Sequence, residues 1–340
     1  MAALKVLVLS DGRPGHYRLS QGIVAAIARK QAVDVITIDI PSPRYLSLRR
    51  LSALSNRGLG AWLILSFVYG LRTSTLPRAG LVVSAGGETL AANVAAAKLL
   101  NAPNIFYGSR RMFRPDHFSL VMSSYRRHTL HANHLFTPKP SPLAPRGCRT
   151  SAQGRPRTAG LLVGGDAGGV QHQAGDWEAL FSFLRAQHKA HGTRWIVSNS
   201  RRTPECASDC LAQMAAERDG PIETFIDVRE AGNDTLDSLF ARTEVILCTS
   251  DSSSMLSEAI WVRLPVIAVA PERRQLTPDE EEYRAFLEQS GWTRSIPTKD
   301  LSPVRFLELL RSITPLESNP LDDLAVGIAK RLPQIFSDSQ

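Results

Sequence analysis

Residues 244–271, E-VILC-TSDSSS-MLSEAIWVRL-PVIAVAP, read as strand, loop, helix and strand, one βαβ unit in a single short stretch. Val245 to Cys248 is an apolar run of the kind that fills a parallel strand covered on both faces. Thr249 to Ser254 are six residues of hydroxyl and carboxylate, which favour turns and caps because they bond nearby backbone N–H groups. A helix starting about Ser254 points its free N–H groups back over the carboxyl end of the first strand. Ligands sit at that edge of a parallel α/β sheet, and a helix N-terminus there suits an anion such as a diphosphate. Ser252, Ser254 and Met255 are therefore candidate ligand contacts. Glu258, one turn beyond Ser254 on the same face, is within reach of a ligand hydroxyl. The plain alternative is an ordinary N-cap followed by a solvated glutamate.

The same alternation runs through the rest of the chain. At 340 residues it can hold two domains with a substantial core in each, and 43% hydrophobic with 21% charged residues describes a globular protein. Leu4 to Leu9 is a buried strand, followed by the loop Ser10 to His16, a helix from about Leu19 to Lys30 and a strand from Val33 to Ile40. Strands follow at Leu81 to Ser84, Pro103 to Tyr107 and Ser119 to Ser123, the first leading through Gly86, Gly87 and Glu88 into an alanine-rich helix. Residues 138–158 are rich in Pro, Arg and Gly without periodicity and read as a linker. Beyond it come a strand at Gly160 to Val163 ending in Gly164 and Gly165, a helix from about Asp176, and a strand from Arg194 to Ser198. The loop Asn199 to Pro204, a helix, a strand at Glu223 to Ile226 and the opening unit follow, then helices around Glu280 to Gln289 and from about Leu321. Two doubly wound Rossmann-like α/β domains are expected, 1–137 and 159–340, facing across a cleft, with a terminal helix that can pack back on the first.

Charge separates these halves. Residues 1–150 carry 20 Lys+Arg against 5 Asp+Glu, a net of +15, and residues 151–340 carry a net of −7. The basic half is expected to meet something anionic. Nucleic acid is not the expected partner, since the arginines lack interleaved aromatics and no DNA- or RNA-binding signature is present. Residues 44–78 point to a membrane surface. Arg44, Arg49, Arg50, Arg57, Arg72 and Arg78 bracket the 13-residue apolar run Leu59 to Leu71, too short to span a bilayer, where about 20 residues are needed. It suits a helix lying in the interface, with Trp62 and Tyr69 at headgroup depth and arginines on anionic lipid. The alternative is a core helix with a solvated basic neighbour. Met1 runs straight into a strand with no basic region ahead of a long apolar run. Cys148, Cys206, Cys210 and Cys248 are few and scattered, so a cytoplasmic protein, at most peripheral to the inner membrane face, is expected.

Taken together, S-D-G-R-P-G at 10–15, S-A-G at 84–86, G-G at 164–165, S-R-R-T-P at 200–204 and S-x-S-M-x-S-E-A at 252–259 resemble the mitochondrial-fission Elm-type family, GT-B glycosyltransferase-like proteins. A more distant similarity is to the enzyme that adds N-acetylglucosamine to the lipid-linked peptidoglycan precursor. Gly15-His16 resembles the end of its first glycine-rich loop, Phe225-Ile226-Asp227 its uracil-contacting segment, and Ser257-Glu258-Ala259 the helix whose Glu holds the ribose hydroxyls. The resemblance implies a GT-B-like fold, a C-terminal domain that binds the nucleotide and an N-terminal domain that receives a lipid-linked or membrane-associated acceptor. In the plant Elm proteins it also implies recruitment of a dynamin-like fission protein, so a non-enzymatic adaptor stands beside the enzyme.

Metal-independent, inverting glycosyl transfer needs positive charge or helix dipoles for the leaving diphosphate and a base for the acceptor hydroxyl. Arg201 and Arg202, directly after a strand beside Ser200, suit the first role, because a guanidinium fork can make two hydrogen bonds to phosphate. Gly164 and Gly165 would allow close backbone approach to the donor, and Ile226 would line the base. For the proton, His16 leads, since imidazole ordinarily titrates near neutrality, with Asp11 and Glu88 as rivals at the ends of strands. A UDP-sugar is the expected donor, with no other cofactor. His128, His131 and His134 read as a surface loop, and no metal is expected. A non-hydrolysing sugar-nucleotide epimerase would share the fold but needs several cleft carboxylates, which the first domain hardly has.

Overall fold

The computed structural model of the chain describes residues 3–145, 155–230 and 236–336. Of the expected linker, the stretch 146–154 with Cys148 lies outside the described residues. The chain divides into two units, Met1–Pro142 with Ser318–Gln340, and Leu143–Glu317.

In the first unit, β1 (Leu4–Ser10), β2 (Val33–Asp39), β3 (Leu81–Ala85), β4 (Asn104–Tyr107), β5 (Leu120–Ser123) and β6 (His134–Phe136) form one parallel sheet in the order β2-β1-β3-β4-β5-β6. Its helices are α1 (Pro14–Ala28), α2 (Leu48–Asn56), α3 (Ala61–Leu63), which runs on into a π-helical turn at Ile64–Val68, and α4 (Leu90–Leu100). In α4 every residue from Leu90 to Ala97 is buried, and the small alanines let the helix lie close against the sheet.

Three expectations change here. Helix α1 starts at Pro14, five residues before the expected Leu19, because proline's fixed φ is preset for the first helical position and its missing N–H is not needed there. His16 is therefore on the first turn of a helix and not in a loop. Tyr69 does not reach a surface: it is 1% exposed and its hydroxyl donates to the Glu88 carbonyl at 2.7 Å. Within residues 59–71 burial alternates around the helical turn, so Ile64, Leu65 and Val68 enter the core while Trp62, Leu63 and Phe67 face out. Finally, His134 sits on the three-residue strand β6, and its side chain is buried, so it is not part of a surface loop.

The second unit has β7 (Thr158–Leu162), α5 (Ala174–His191), β9 (Arg194–Ser198), α6 (Glu205–Ala216), β10 (Ile222–Ile226) and α7 (Leu236–Arg242), with a two-residue strand β8 (Val170–Gln171) ahead of α5. The opening stretch follows as β11 (Val245–Thr249), α8 (Ser253–Trp261) and β12 (Val266–Ala270), then β13 (Arg273–Arg274), α9 (Pro278–Gln289), β14 (Thr293–Pro297) and α10 (Pro303–Arg311). The main sheet has the order β10-β9-β7-β11-β12-β14, all parallel, and β8 pairs with β13 as a small antiparallel ribbon. Its core stacks Phe183, Trp195 and Phe306 with ring centroids 5.5–6.0 Å apart. Helix α11 (Pro320–Arg331) belongs to the first unit. Arg29 Nε meets Asp322 Oδ1 at 2.6 Å, and Arg331 Nε donates to the His134 carbonyl at 3.1 Å.

Burial and the neighbouring His131, Arg110 and His128 push the His134 imidazole down to about 4. Below its ordinary pKa the unfolded chain binds the proton and the folded one does not, so stability is retained above about pH 6.5 and falls as pH drops toward 4. The loss should reach roughly 2–3 kcal/mol and shrink in His134→Gln. Urea titrations at a series of pH values check this; the same pH slope in both proteins would exclude His134 as its source.

Candidate functional site

Each sheet changes the direction of its winding once, between β1 and β3 and between β7 and β11, and the chemistry-bearing loops gather at those carboxyl ends. In the first unit, Asp11 directly follows β1. Its carboxylate is 1% exposed, accepts from the Arg13 amide at 3.2 Å through Oδ1, and accepts from His16 Nδ1 at 2.7 Å through Oδ2. That bond places the imidazole proton on Nδ1 and leaves Nε2 with its lone pair. The imidazole lies over Gly86 at the end of β3, which has φ +90°; a Cβ there would come within 2.2 Å of His16 Nδ1. The S-A-G motif thus has a steric reason: only glycine lets the ring lie there.

Glu88 is held apart from this pair. Its Oε1 accepts from Arg13 at 2.5 Å and its Oε2 from Ser42 Oγ at 2.5 Å. Of the three candidate bases, then, Asp11 orients His16, Glu88 is engaged with Arg13, and His16 keeps a free nitrogen.

In the second unit the ends of β7, β9 and β11 are tied to one another. Thr249 Oγ1 accepts from the Gly164 amide at 2.7 Å and donates to Asp251 Oδ1 at 2.6 Å. Asp251 Oδ2 accepts from Arg202 at 3.0 Å, and the Asp251 side chain is completely buried. Thr203 Oγ1 donates to the Gly164 carbonyl at 2.7 Å and accepts from the Ser200 amide at 2.9 Å, while Ser200 Oγ accepts from the Arg202 amide at 3.2 Å. Gly164, Gly165, Ser200 and Arg202 are thereby brought together, and Arg202 is the arginine turned to the β11 loop. Arg201 is exposed.

At the head of α8, Ser252 is the N-cap, its Oγ accepting from the Met255 amide at 3.4 Å. Ser254 and Met255 are half-buried, and Glu258 is 8% exposed, which removes the alternative of a solvated glutamate. Ile226 ends β10 in the core, with its carbonyl accepting from the Asn199 amide, and Arg229 beside it holds the Asp227 carboxyl well below the usual carboxylate range. Asp251 and Arg284 were not singled out from the sequence. An aspartate in a serine-rich loop looks like a turn residue, and Arg284 lies in a strongly charged helix; only burial distinguishes them. Among the described residues no group of three or more His, Cys, Asp or Glu is placed to hold a metal ion. His131 Nε2 accepts from Arg110 at 3.0 Å.

A profile of the family described as Mitochondrial fission ELM1 matches residues 14–332. No curated protein sequence matches the chain. Among solved structures, Staphylococcus aureus MnaA with UDP is similar at 12% identity and TM-score 0.54, over 98% of this chain and 97% of that one. The Methanocaldococcus jannaschii UDP-GlcNAc 2-epimerase, in complex with UDP-GlcNAc and UDP, is similar at 12% identity and TM-score 0.52, over 98% and 100%. The glycotransferase of kitacinnamycin is similar at 11% identity and TM-score 0.50, over 99% and 96%. At such identities the likeness establishes the fold, which is GT-B-like, as expected from the sequence.

Gly165 provides a direct check on the second-unit network. A Cβ there would lie 2.0 Å from the Arg202 carbonyl oxygen, a backbone atom, so Gly165→Ala must displace the 200–203 loop. Overpacking of this kind costs about 1–3 kcal/mol, a fall of about 2–8 °C in melting temperature. An unchanged melting curve would show that the loop can give way freely.

Proposed function

The chain belongs to the mitochondrial fission ELM1 family, and on that premise we propose that it is a nucleotide-sugar-dependent, metal-independent inverting glycosyltransferase acting on a membrane-associated acceptor. The observation that carries this reading is the His16–Asp11 pair, an imidazole whose Nδ1 is held by a buried carboxylate and whose Nε2 is left to accept a proton. In the reaction, the acceptor hydroxyl oxygen attacks the anomeric carbon as the bond to the diphosphate breaks. The hydroxyl proton passes to His16 Nε2, and Asp11 stabilises the imidazolium that forms. The nucleoside diphosphate leaves with the bonding electrons.

The donor belongs on the second unit, over Gly164, Gly165, Ser200, Arg201 and Arg202, with Ile226 near the base and Ser252, Ser254, Met255 and Glu258 at the phosphates and ribose. A UDP-sugar is favoured because the chain's fold is shared with proteins whose structures contain UDP or UDP-GlcNAc. His16→Ala should lower turnover by about 10²–10⁴-fold, the usual size of a general-base contribution, and leave UDP affinity unchanged. Asp11→Asn should lower turnover too and alter its pH profile, because the amide no longer favours the imidazolium. The assay is transfer from a labelled UDP-sugar to a membrane-lipid extract. An epimerase would interconvert UDP-sugars without an acceptor, and an adaptor would do neither; absence of transfer, hydrolysis and any nucleotide-induced thermal shift would end the enzyme reading.

The membrane part of the proposal rests on the outward side of the 61–68 turn. Trp62 and Phe67 are 51% and 64% exposed and touch edge to face at 5.7 Å. Asn56 Nδ2 donates to the Met112 backbone carbonyl, which ties that stretch of backbone to the end of α2, and Met112, Arg57, Arg111 and Arg114 are exposed. Apolar insertion with basic residues alongside fits an anionic bilayer surface. Among the described residues no helix is long and apolar enough to cross a membrane. The protein should float with anionic vesicles and release as salt rises. Phe67→Ser and Trp62→Ser should each weaken binding even at low salt, by roughly 1–2 kcal/mol of lost apolar burial. Equal binding to neutral and anionic vesicles, or to neither, would count against it.

A further inference from the structure

The two arginines near the β11–α8 corner differ in what already neutralises them. Arg202 is satisfied by the buried Asp251. Arg284, on α9, is not. Its side chain is only 14% exposed, the nearest carboxylate oxygen is Glu280 Oε2 at 3.8 Å from Nε, beyond hydrogen-bond length, and Nε itself is buried with no hydrogen-bond partner. Burial pulls its guanidinium below the ordinary arginine range, against the opposing fields of Glu280, Cys248 and Asp251 and with that of Arg274. Those neighbours locate it: Cys248 is the penultimate residue of β11, Asp251 is in the loop that follows, and Arg274 is on β13. The surrounding contacts then keep α9 fixed against α8. Glu280 Oε1 accepts from Ser253 Oγ, the first residue of α8, at 3.0 Å, and Ser257 Oγ and Tyr283 Oη are 2.7 Å apart.

A guanidinium taken out of water is costly unless charge and hydrogen bonds replace its hydration. A neutral surrounding would not explain why one is placed here without a hydrogen-bonded partner, whereas a phosphate would supply both the charge and acceptors for its fork. We propose that Arg284 is a phosphate-binding residue, its guanidinium holding the diphosphate of the nucleotide at the amino end of α8, with Glu280 bridging it to Ser253 as a positioning residue. This deepens the nucleotide reading above and rests on it. It also assigns the two arginines separate duties: Arg202 shapes the loop by holding Asp251, and Arg284 meets the ligand.

The test uses the whole chain and the probes uridine, UMP and UDP, with binding followed by calorimetry in the wild type, Arg284→Gln and Arg284→Lys. Arg284→Gln should weaken UDP by about 10- to 100-fold, the size of losing charge-assisted hydrogen bonds, and leave uridine unchanged, with Arg284→Lys between. Equal UDP affinity in the wild type and a folded Arg284→Gln overturns the assignment. Should the glutamine variant fail to fold, arginine-selective labelling of the wild type with phenylglyoxal, read at Arg284 by mass spectrometry, decides. Protection by UDP and pyrophosphate but not by uridine supports the role, and no protection by either overturns it. A wild type that binds no nucleotide refutes the nucleotide reading, and pyrophosphate protection still decides on Arg284 by itself.

Discussion

Parallel pairing is the constraint from which the rest of this structure follows. Both six-stranded sheets are parallel throughout, so no strand can return by a tight hairpin, and each connection must cross back over a face of its sheet. The crossovers cover both faces, which is why the central strands, such as Val245–Thr249 and Leu81–Ala85, are buried at every position. They also deliver every strand's carboxyl end to the same edge. Loops far apart in the chain, after Ser10 and Ala85 in one unit and after Leu162, Ser198 and Thr249 in the other, become neighbours for that reason alone.

At each edge the organising group is a buried carboxylate. Asp11 and Asp251 have side chains almost entirely removed from water, a position tolerable only because each is fully engaged, Asp11 by His16 and the Arg13 amide, Asp251 by Arg202 and Thr249. The consequence is that each carboxylate fixes the side chain it engages. Held from one side, an imidazole presents a defined nitrogen to the other, and Arg202, tied to a buried acid, is directed at the β11 loop although 45% of its side chain stays exposed. The same accounting makes Arg284 the exception in the second unit, a largely buried cation whose counter-charge is held beyond hydrogen-bond range.

The turn at residues 61–68 shows the opposite use of apolar side chains. A π-helical segment winds more widely than an α-helix, and around it the buried Ile64, Leu65 and Val68 alternate with the exposed Trp62, Leu63 and Phe67. Burying the whole run would have required a second layer over it. Instead, half of it completes the core and half is left facing outward.

Periodicity and turn chemistry alone establish that this is a chain of alternating strands and helices, because apolar runs such as Val245–Cys248 and cap residues such as Ser252 act over a few residues and are local. They also place the glycines and basic residues at strand ends. The start of α1 lies five residues ahead of the expected Leu19 because Pro14 suits a first helical turn as well as a loop, and the short β6 and the strand β14 carry too little pattern to stand out. What only the tertiary structure decides is which of those residues meet. That Gly86 is glycine because His16 lies on it, that Asp11 orients His16 and Glu88 does not, that Arg202 is matched by Asp251 and Arg284 is not, are all relations between segments 49 or more residues apart or between groups whose burial depends on distant packing. Contacts of that kind leave no periodic trace in the sequence, since each partner is chosen by the sheet order and not by its neighbours along the chain.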